Sequence, residues 1–168
     1  MYSILNDVRI VEGSAFIAAP MAGMTLAQLG ADVIRFDPIG GGIDYNRAPV
    51  AKTAGRSLYW AGLNKGKRSI AVDIRNPRGR ELIQQLVTQP GAGAGILLTN
   101  FAGMEWLGYE TLKQLRPDVI KVEVRGNYDG SPAVDYTVNC AVGYPFVTGP
   151  ASRSQPVNHV MPAWDVAC

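Results

Sequence analysis

A chain of 168 residues suits one domain, and its 47% hydrophobic and 18% charged residues are those of an ordinary globular protein. The net charge of +2 lacks the basic excess of a nucleic-acid-binding protein, so we expect no nucleic-acid partner. No stretch reaches the roughly 18 apolar residues of a membrane span, so no membrane partner is expected either. The two cysteines, Cys140 and Cys168, form no disulfide framework, which favours a reducing, cytoplasmic location.

Strand and helix patterns then alternate along the chain. Apolar, β-branched runs predict strands at residues 8–12, 32–36, 69–74, 95–99 and 119–124. Helical patterns follow at residues 20–29, with Gly30 as the stop, at 77–88, and at 103–115 with a break near Gly108. Residues 39–62 read as a long glycine-rich connection, and the chain turns irregular and proline-rich after Gly126. This rhythm predicts a Rossmann-like parallel sheet with flanking helices, which binds ligands at the carboxyl ends of its strands.

A basic run precedes the third predicted strand, which we expect to be buried. The basic run consists of Lys65, Lys67 and Arg68. After the strand, Asn76 is the predicted N-cap of a helix and Pro77 its first residue. Fixed cations and helix amides at the rim of a parallel sheet suit a phosphate group. The other interpretation is a solvated basic turn, which spacing alone favours.

Several other patterns leave alternatives open. Gly40 to Gly42 form either a phosphate loop or a flexible turn, and the absence of GxGxxG and GxxxxGK[ST] motifs favours the turn. Asp37 ends a strand where nucleotide-binding folds often have a ribose-binding acid, but without the glycine motif we predict no nicotinamide site. His159, the single histidine, lacks a ligand cluster and indicates no metal site; it has a peripheral role or pairs with Asp165. Asp165 itself, at a predicted helix start, reads by position as an N-cap.

Four stretches in order resemble the N-terminal half of the class III CoA-transferases: VEGSAFIAAPMAGMTLAQLGADVIRFDP, LNKGKRSIAVDIRNPRG, TNF and LRPDVIKVEVRG. The resemblance implies that residues 1–126 form a Rossmann-like CoA-binding region, the N-terminal part of the family's large domain. Residues 127–168 would be an irregular, proline-rich segment leading to the catalytic residue. Because family members are considerably longer, the resemblance also implies that the chain is an N-terminal fragment that lacks the C-terminal remainder of the enzyme. Because family members form interlocked dimers, it implies a homodimer at full length.

The resemblance further implies a catalytic role for Asp165, which matches the family's nucleophilic aspartate. A carboxylate can attack a thioester, form a mixed anhydride and then carry CoA as an enzyme thioester. The implied cofactor is CoA, bound as the substrate thioester, with no metal. The positions that match CoA-contacting residues are Phe16 and Ile17, Val72, Asp73, Ile74 and Arg75, Asn100 and Phe101 on the pantetheine side, and Asp135 and Tyr136 near the thioester.

The sequence also departs from parts of the family. Pro38 and Trp106 stand where formyl-CoA transferase has CoA-binding arginines, so the phosphate contacts must differ. The racemase branch has a catalytic histidine in a motif that here reads Ala133-Val134-Asp135. The segments VDYTVN and VNHVMPAWD instead resemble a branch that moves CoA within one molecule, between the C1 and C4 carboxyls of mesaconate. An intermolecular CoA-transferase and a non-catalytic CoA-binding fragment are the alternatives.

Overall fold

The computed structural model describes residues 2–167 and divides the chain into two units, Met1–Val124 and Arg125–Cys168. The first unit contains a five-stranded, wholly parallel sheet in the order β3-β2-β1-β4-β5. The strands are β1 (Arg9–Gly13), β2 (Asp32–Asp37), β3 (Arg68–Ala71), β4 (Ile96–Thr99) and β5 (Ile120–Glu123). The helices are α1 (Ala18–Gln28), α2 (Leu58–Leu63), α3 (Pro77–Val87) and α4 (Tyr109–Leu115), with a 3₁₀ turn at Glu105–Leu107. The predicted α/β class, a parallel sheet with flanking helices, is confirmed.

Helices cover both faces of the sheet, which explains the continuous apolar runs of its central strands. Successive residues of a strand point to opposite faces. Val11 accordingly belongs to the core on the side of α3, together with Ile83, whereas Ile10 belongs to the core on the side of α1, together with Ala19. The two cores hold the central strands in place and thereby fix the loops at their carboxyl ends.

The third strand differs from the buried strand that was predicted. It ends at Ala71, and of its four residues only Ile70 is partly buried. Its position at the edge of the sheet is the reason, because it pairs only with β2. Val72, the first residue after the strand, is the buried residue of this apolar run.

Local signals explain the ends of the helices. The side chain of Asn76 accepts a hydrogen bond from the N–H of Arg78 at 3.0 Å, and Pro77 follows it as the first residue of α3, as predicted. Gly30, with φ of 113°, follows α1. Helix α2 was not predicted. Ser57 caps it by accepting a hydrogen bond from the N–H of Trp60 at 3.0 Å, and a serine before an aromatic run is the signal that identifies it.

The second unit, described from 125 to 167, contains three short helices where the sequence predicted an irregular segment. They are α5 (Asp135–Ala141), α6 (Tyr144–Val147) and α7 (Ala163–Ala167). Pro145 lies in the first turn of α6, where the missing N–H of a proline costs no helical hydrogen bond. Cys140 is an exposed, free thiol, whereas Cys168 lies outside the described residues. In the part of the chain that is described, no helix is long and apolar enough to cross a membrane.

Candidate active site

The carboxyl ends of β1 and β4 meet where the strand order of the sheet reverses. From β1 the chain continues to β2 on one side, whereas β4 and β5 extend the sheet on the other. Ligands of open parallel sheets bind in the crevice at such a point. The loops after the two strands carry four of the predicted CoA-contacting residues: Phe16, Ile17, Asn100 and Phe101. The fold therefore brings these four together, although they come from distant parts of the chain.

The side chain of Asn100 joins these two loops. Its Nδ2 donates to the carbonyl of Ala15 at 2.7 Å, and its Oδ1 accepts from the N–H of Ala15 at 2.9 Å. The preceding Thr99 donates from Oγ1 to the carbonyl of Gly13 at 2.7 Å and accepts from the N–H of Phe101 at 3.0 Å. The amide of Asn100 is thus engaged within the protein and orders the loop after β1.

Phe16 has an unusual backbone conformation in this loop. Its φ of 68° lies in the left-handed region, and it is the one non-glycine residue with positive φ between residues 2 and 167. That conformation costs an L-residue about 1–2 kcal/mol and persists only where neighbouring groups hold it. Here the N–H of Phe16 donates to Asp44 Oδ2 at 2.9 Å, and the side chain is left 38% exposed. Ile17, at the N-cap position of α1, is half-buried.

The predicted nucleotide-contacting residues come directly after β3, at the same carboxyl end of the parallel strands as the crevice. Val72 is buried in the core, Ile74 is half-buried, and Asp73 and Arg75 are exposed. Asp73 Oδ1 accepts from the N–H of Arg75 at 3.0 Å, which orders the turn into α3. Gly79 permits this close packing, because a Cβ there would lie 2.2 Å from the carbonyl oxygen of Asp73. Arg75 therefore presents a cation beyond the carboxyl end of β3.

The basic run, in contrast, lies at the amino end of β3, and its last member, Arg68, is the first residue of the strand. Lys67 has a side chain only 2% exposed, and its Nζ lies 2.8 Å from Glu12 Oε1. The same ammonium donates to Asn64 Oδ1 and to the carbonyl of Pro20, both at 2.8 Å. The prediction that this run binds phosphate is therefore wrong for Lys67, and so is the alternative of a solvated turn. Arg68 pairs with Asp32 at 3.1 Å, at an exposed position.

Lys67 belongs to a buried cluster of charged side chains that the sequence analysis missed. Its other members are Glu12, Arg35, Asp37 and Asp44. Arg35 lies 2.9 Å from Asp37, which is therefore ion-paired inside the protein. The available signal was the charged residues inside and at the ends of two otherwise apolar strands, Glu12 in VRIVE and Arg35 with Asp37 in DVIRFD. Charged residues are almost never fully buried unless they are paired.

Burial perturbs the acid and the base at the centre of this cluster. Burial raises the pKa of Glu12, while the charge of Lys67 opposes that rise. Burial likewise lowers the pKa of Lys67, and the charge of Glu12 opposes that fall. Gly23 of α1 makes room for the carboxylate, because a Cβ there would lie 1.7 Å from Glu12 Oε2. The pair therefore links α1, β1 and the segment before β3 just below the crevice.

In the second unit, Asp135 organises the helix that contains Asp165. The Asp135 carboxylate is buried, and its Oδ2 accepts from the N–H groups of Trp164 at 2.7 Å and Asp165 at 3.2 Å. Its Oδ1 accepts from Asn139 Nδ2 at 2.9 Å. Asp165 is the third residue of α7, so the N-cap interpretation of Asp165 is wrong, and Asp135 instead accepts from the N–H groups of the second and third helical residues. Burial raises the pKa of the half-buried Asp165 carboxyl, and the nearby charge of Asp135 raises it further.

His159 is engaged with neighbours other than Asp165. Its Nε2 contacts the hydroxyl of Thr148, and its ring lies 4.7 Å from that of Tyr144 between centroids. Of the two roles left open by the sequence, this geometry supports the peripheral one. Tyr136, in the first turn of α5, is exposed.

Comparison with known proteins identifies the family. The sequence profile of CoA-transferase family III matches residues 5–168, and the chain belongs to that family. It is 61% identical to 2-methylfumaryl-CoA isomerase of Chloroflexus aurantiacus over 99% of this chain and 41% of that protein. It is 38% identical to succinyl-CoA--D-citramalate CoA-transferase of the same organism over 73% of this chain and 30% of that protein.

A solved structure supports the same assignment at the level of the fold. A CAIB/BAIF family protein from Brucella suis matches with a TM-score of 0.86 and 29% sequence identity, over 98% of this chain and 46% of that one. The chain therefore spans less than half the length of each of these three relatives. Both curated relatives are named for reactions of CoA esters.

Proposed function

We propose that the chain is the N-terminal part of an enzyme that transfers CoA between the C1 and C4 carboxyls of mesaconate (2-methylfumarate). The observation that carries this proposal is the 61% identity to 2-methylfumaryl-CoA isomerase over 99% of the chain. Asp165 is the proposed nucleophile, and its half-buried carboxyl, in a helix ordered by Asp135, supports that role. A transferase acting between two different acids is the second candidate, favoured by the 38% identity to succinyl-CoA--D-citramalate CoA-transferase.

The proposed reaction passes through two anhydrides of Asp165. The Asp165 carboxylate first attacks the C1 thioester carbonyl, the C–S bond breaks, and CoA leaves as a thiolate from a mixed anhydride. The thiolate attacks the aspartyl carbonyl of the anhydride, which releases mesaconate and forms an aspartyl-CoA thioester. The C4 carboxylate then attacks this thioester, forming a second anhydride and expelling the thiolate again. Attack of the thiolate on the C4 carbonyl yields the C4 ester and regenerates Asp165, so one difficult exchange is divided into easier steps.

The proposed CoA site lies at the crevice between β1 and β4. Phe16, Ile17 and Phe101 would line it, with Asn100 holding the loop that carries the first two. The turn of Val72, Asp73, Ile74 and Arg75 would face the nucleotide, with the buried Val72 contributing through packing. Asp135 and Tyr136 would lie near the thioester. CoA enters as the substrate ester without a metal. The family resemblance supports an interlocked homodimer at full length, and the cysteine usage supports a cytoplasmic location.

The direct test is incubation of the full-length protein with mesaconyl-C1-CoA, followed by chromatography of the CoA esters. We expect the C4 ester to form without any added acid, because the transfer is intramolecular. Parallel reactions receive succinate or citramalate. Formation of the CoA ester of the added acid, with the C4 ester absent, would establish the intermolecular transferase instead, and no turnover in either reaction would remove the proposal.

Two exposed cations that flank β3 provide a matched test of the phosphate contacts. We expect Arg75→Ala to weaken CoA binding about tenfold, the loss expected for a charge-assisted hydrogen bond of about 1.5 kcal/mol. Lys65→Ala is the control, because Lys65 is also exposed but precedes the strand. Isothermal titration of both variants with CoA measures the difference, and equal affinities would contradict a phosphate role for Arg75.

The proximity of Asp135 to Asp165 predicts how activity depends on pH. The nucleophile must be ionised, so activity is lost as pH falls through the raised pKa of Asp165. We expect Asp135→Asn to move this acidic limb of kcat/KM to lower pH, because it removes the like charge. The new amide can keep the bonds to Trp164 and Asp165 if the amide of Asn139 turns over. Asp135→Ala, which loses those bonds as well, should lower kcat at every pH. An unchanged acidic limb in the Asn variant would contradict this coupling.

A further inference from the structure

Three side chains hold three consecutive residues of the loop after β1. Arg35 Nη2 donates to the carbonyl of Ser14 at 2.8 Å, and Asn100 makes its two hydrogen bonds to Ala15. Asp44 accepts from the N–H of Phe16. Arg35 belongs to β2 of the sheet, and Asn100 belongs to the loop after β4. Asp44 instead comes from the long glycine-rich connection between β2 and α2.

The Asp44 carboxylate is placed for this contact by charge as well as by burial. The residue is 1% exposed, and its Oδ1 lies 3.6 Å from Arg35 Nη2. Arg35 in turn bonds the carbonyl of Ser14, so both ends of the loop depend on the same ion pair. Since Arg35 is also fully buried, this arrangement is determined by the core and not by solvent.

The same turn of the connection also contacts the ring of Phe16. The guanidinium of Arg47 lies 5.3 Å from the centroid of the Phe16 ring and 5.1 Å from that of Tyr59. The N–H of Arg47 donates to the carbonyl of Asp44 at 3.1 Å, which ties the two residues into one turn. Residues 44–47 therefore hold Phe16 by its backbone and by its side chain.

This double contact matters because Phe16 is in the left-handed conformation. Glycine adopts that conformation at no steric cost, whereas phenylalanine does so only when surrounding groups impose it. We infer that Asp44 is a positioning residue for acyl-CoA binding: it holds the amide of Phe16 so that the loop at the carboxyl end of β1 is preformed for the CoA moiety, and Arg47 secures the ring. The inference rests on the proposed function, because that function assigns CoA to this crevice.

The test uses the full-length enzyme with Asp44→Ala, Asp44→Asn and, as a matched control, Asp118→Ala. Asp118 is an exposed aspartate before β5, paired with Arg116. Calorimetry gives the Kd for CoA, steady-state kinetics with mesaconyl-C1-CoA give KM and kcat, and circular dichroism checks folding. We expect Asp44→Ala to raise both Kd and KM about tenfold and to change kcat less. A tenfold change corresponds to the free-energy cost of the left-handed conformation of Phe16, which the variant no longer offsets. Asp44→Asn should recover part of this loss, because its Oδ1 can still accept from the N–H of Phe16 although the ion pair with Arg35 is lost.

The inference is overturned if folded Asp44→Ala binds CoA as wild type does, or if Asp44→Asn binds as weakly as Asp44→Ala. If the Ala variant does not fold, the exposed Arg47 provides the second measurement. Arg47→Ala should weaken CoA binding in the wild type but have no further effect in a Phe16→Ala background, and equal effects in both backgrounds would contradict the inference. If the wild type binds CoA but does not isomerise mesaconyl-CoA, the proposed function is wrong, and the comparison of Kd values still decides the role of Asp44. If the wild type does not bind CoA, both the proposed function and the role of Asp44 are wrong.

Discussion

Asp165→Ala in the full-length enzyme is expected to lower CoA transfer at least about a thousandfold while the Kd for CoA stays within about a factor of two. The substitution removes the carboxylate that would form the anhydride and leaves the proposed CoA crevice of the first unit unchanged. Asp165 is the third residue of α7, and the hydrogen bond from its N–H to Asp135 does not involve its own side chain. The helix should therefore survive the change. Turnover of mesaconyl-C1-CoA and calorimetry with CoA measure the two quantities separately.

The identity of the nucleophile is tested by two controls. Asp165→Asn should also fail, because an amide cannot form the anhydride. In the wild type, hydroxylamine added during turnover should modify the side chain of Asp165, which mass spectrometry of the digested protein can locate. A fully active Asp165→Ala enzyme would move the nucleophile elsewhere. Asp135, the nearest acid of that unit, is a weak replacement because both of its oxygens are hydrogen-bonded within the protein.

Lys67→Met is expected to cause the largest loss of stability, about 3–5 kcal/mol at neutral pH. Methionine fills much of the same volume but leaves the Glu12 carboxylate, 0% exposed, without its nearest cation. An uncompensated buried charge is costly, and a partner such as Arg35 at 3.5 Å offsets only part of that cost. Urea unfolding of the full-length variant measures the change. Lys65→Met is the matched control, because this exposed lysine lies two residues earlier.

The pH dependence of this loss identifies Glu12 as its origin. With the lysine gone, the pKa of folded Glu12 rises further above its unfolded value near 4.5, so the folded state binds more protons than the unfolded state between the two values. Because burial already raises the pKa of Glu12 in the wild type, the penalty should be small below that raised pKa and should grow with pH above it, by up to about 1.4 kcal/mol per unit. The double variant Lys67→Met with Glu12→Gln should lose this pH dependence. A penalty that is independent of pH would show that lost packing, not lost charge, is responsible.

The fold was largely predictable because its signals are local. Apolar runs of strand length, the N-cap of Asn76 and the helix stop at Gly30 each depend on residues adjacent in sequence. Helices α2, α5 and α6 were missed, and of α7 only a helix start near Asp165 was predicted, because proline- and glycine-rich composition obscured weaker caps such as Ser57. The edge position of β3, and hence its exposure, depends on strand order, which no local pattern specifies.

The same distinction between local sequence signals and tertiary structure applies to the candidate site. The sequence by itself determined the parallel α/β class and, through the order of its motifs, the family. The family resemblance, not the local pattern, then suggested Asp165 and the crevice residues as site residues. Only the tertiary structure decided that Lys67 is an internal counter-ion, that Asp135 bonds two amides in the first turn of α7, and that Asp44 holds Phe16. The reason is physical: a side chain's charge, pKa and partners are set by groups that folding brings close, and for Lys67 and Glu12 those groups are 55 residues apart in the chain.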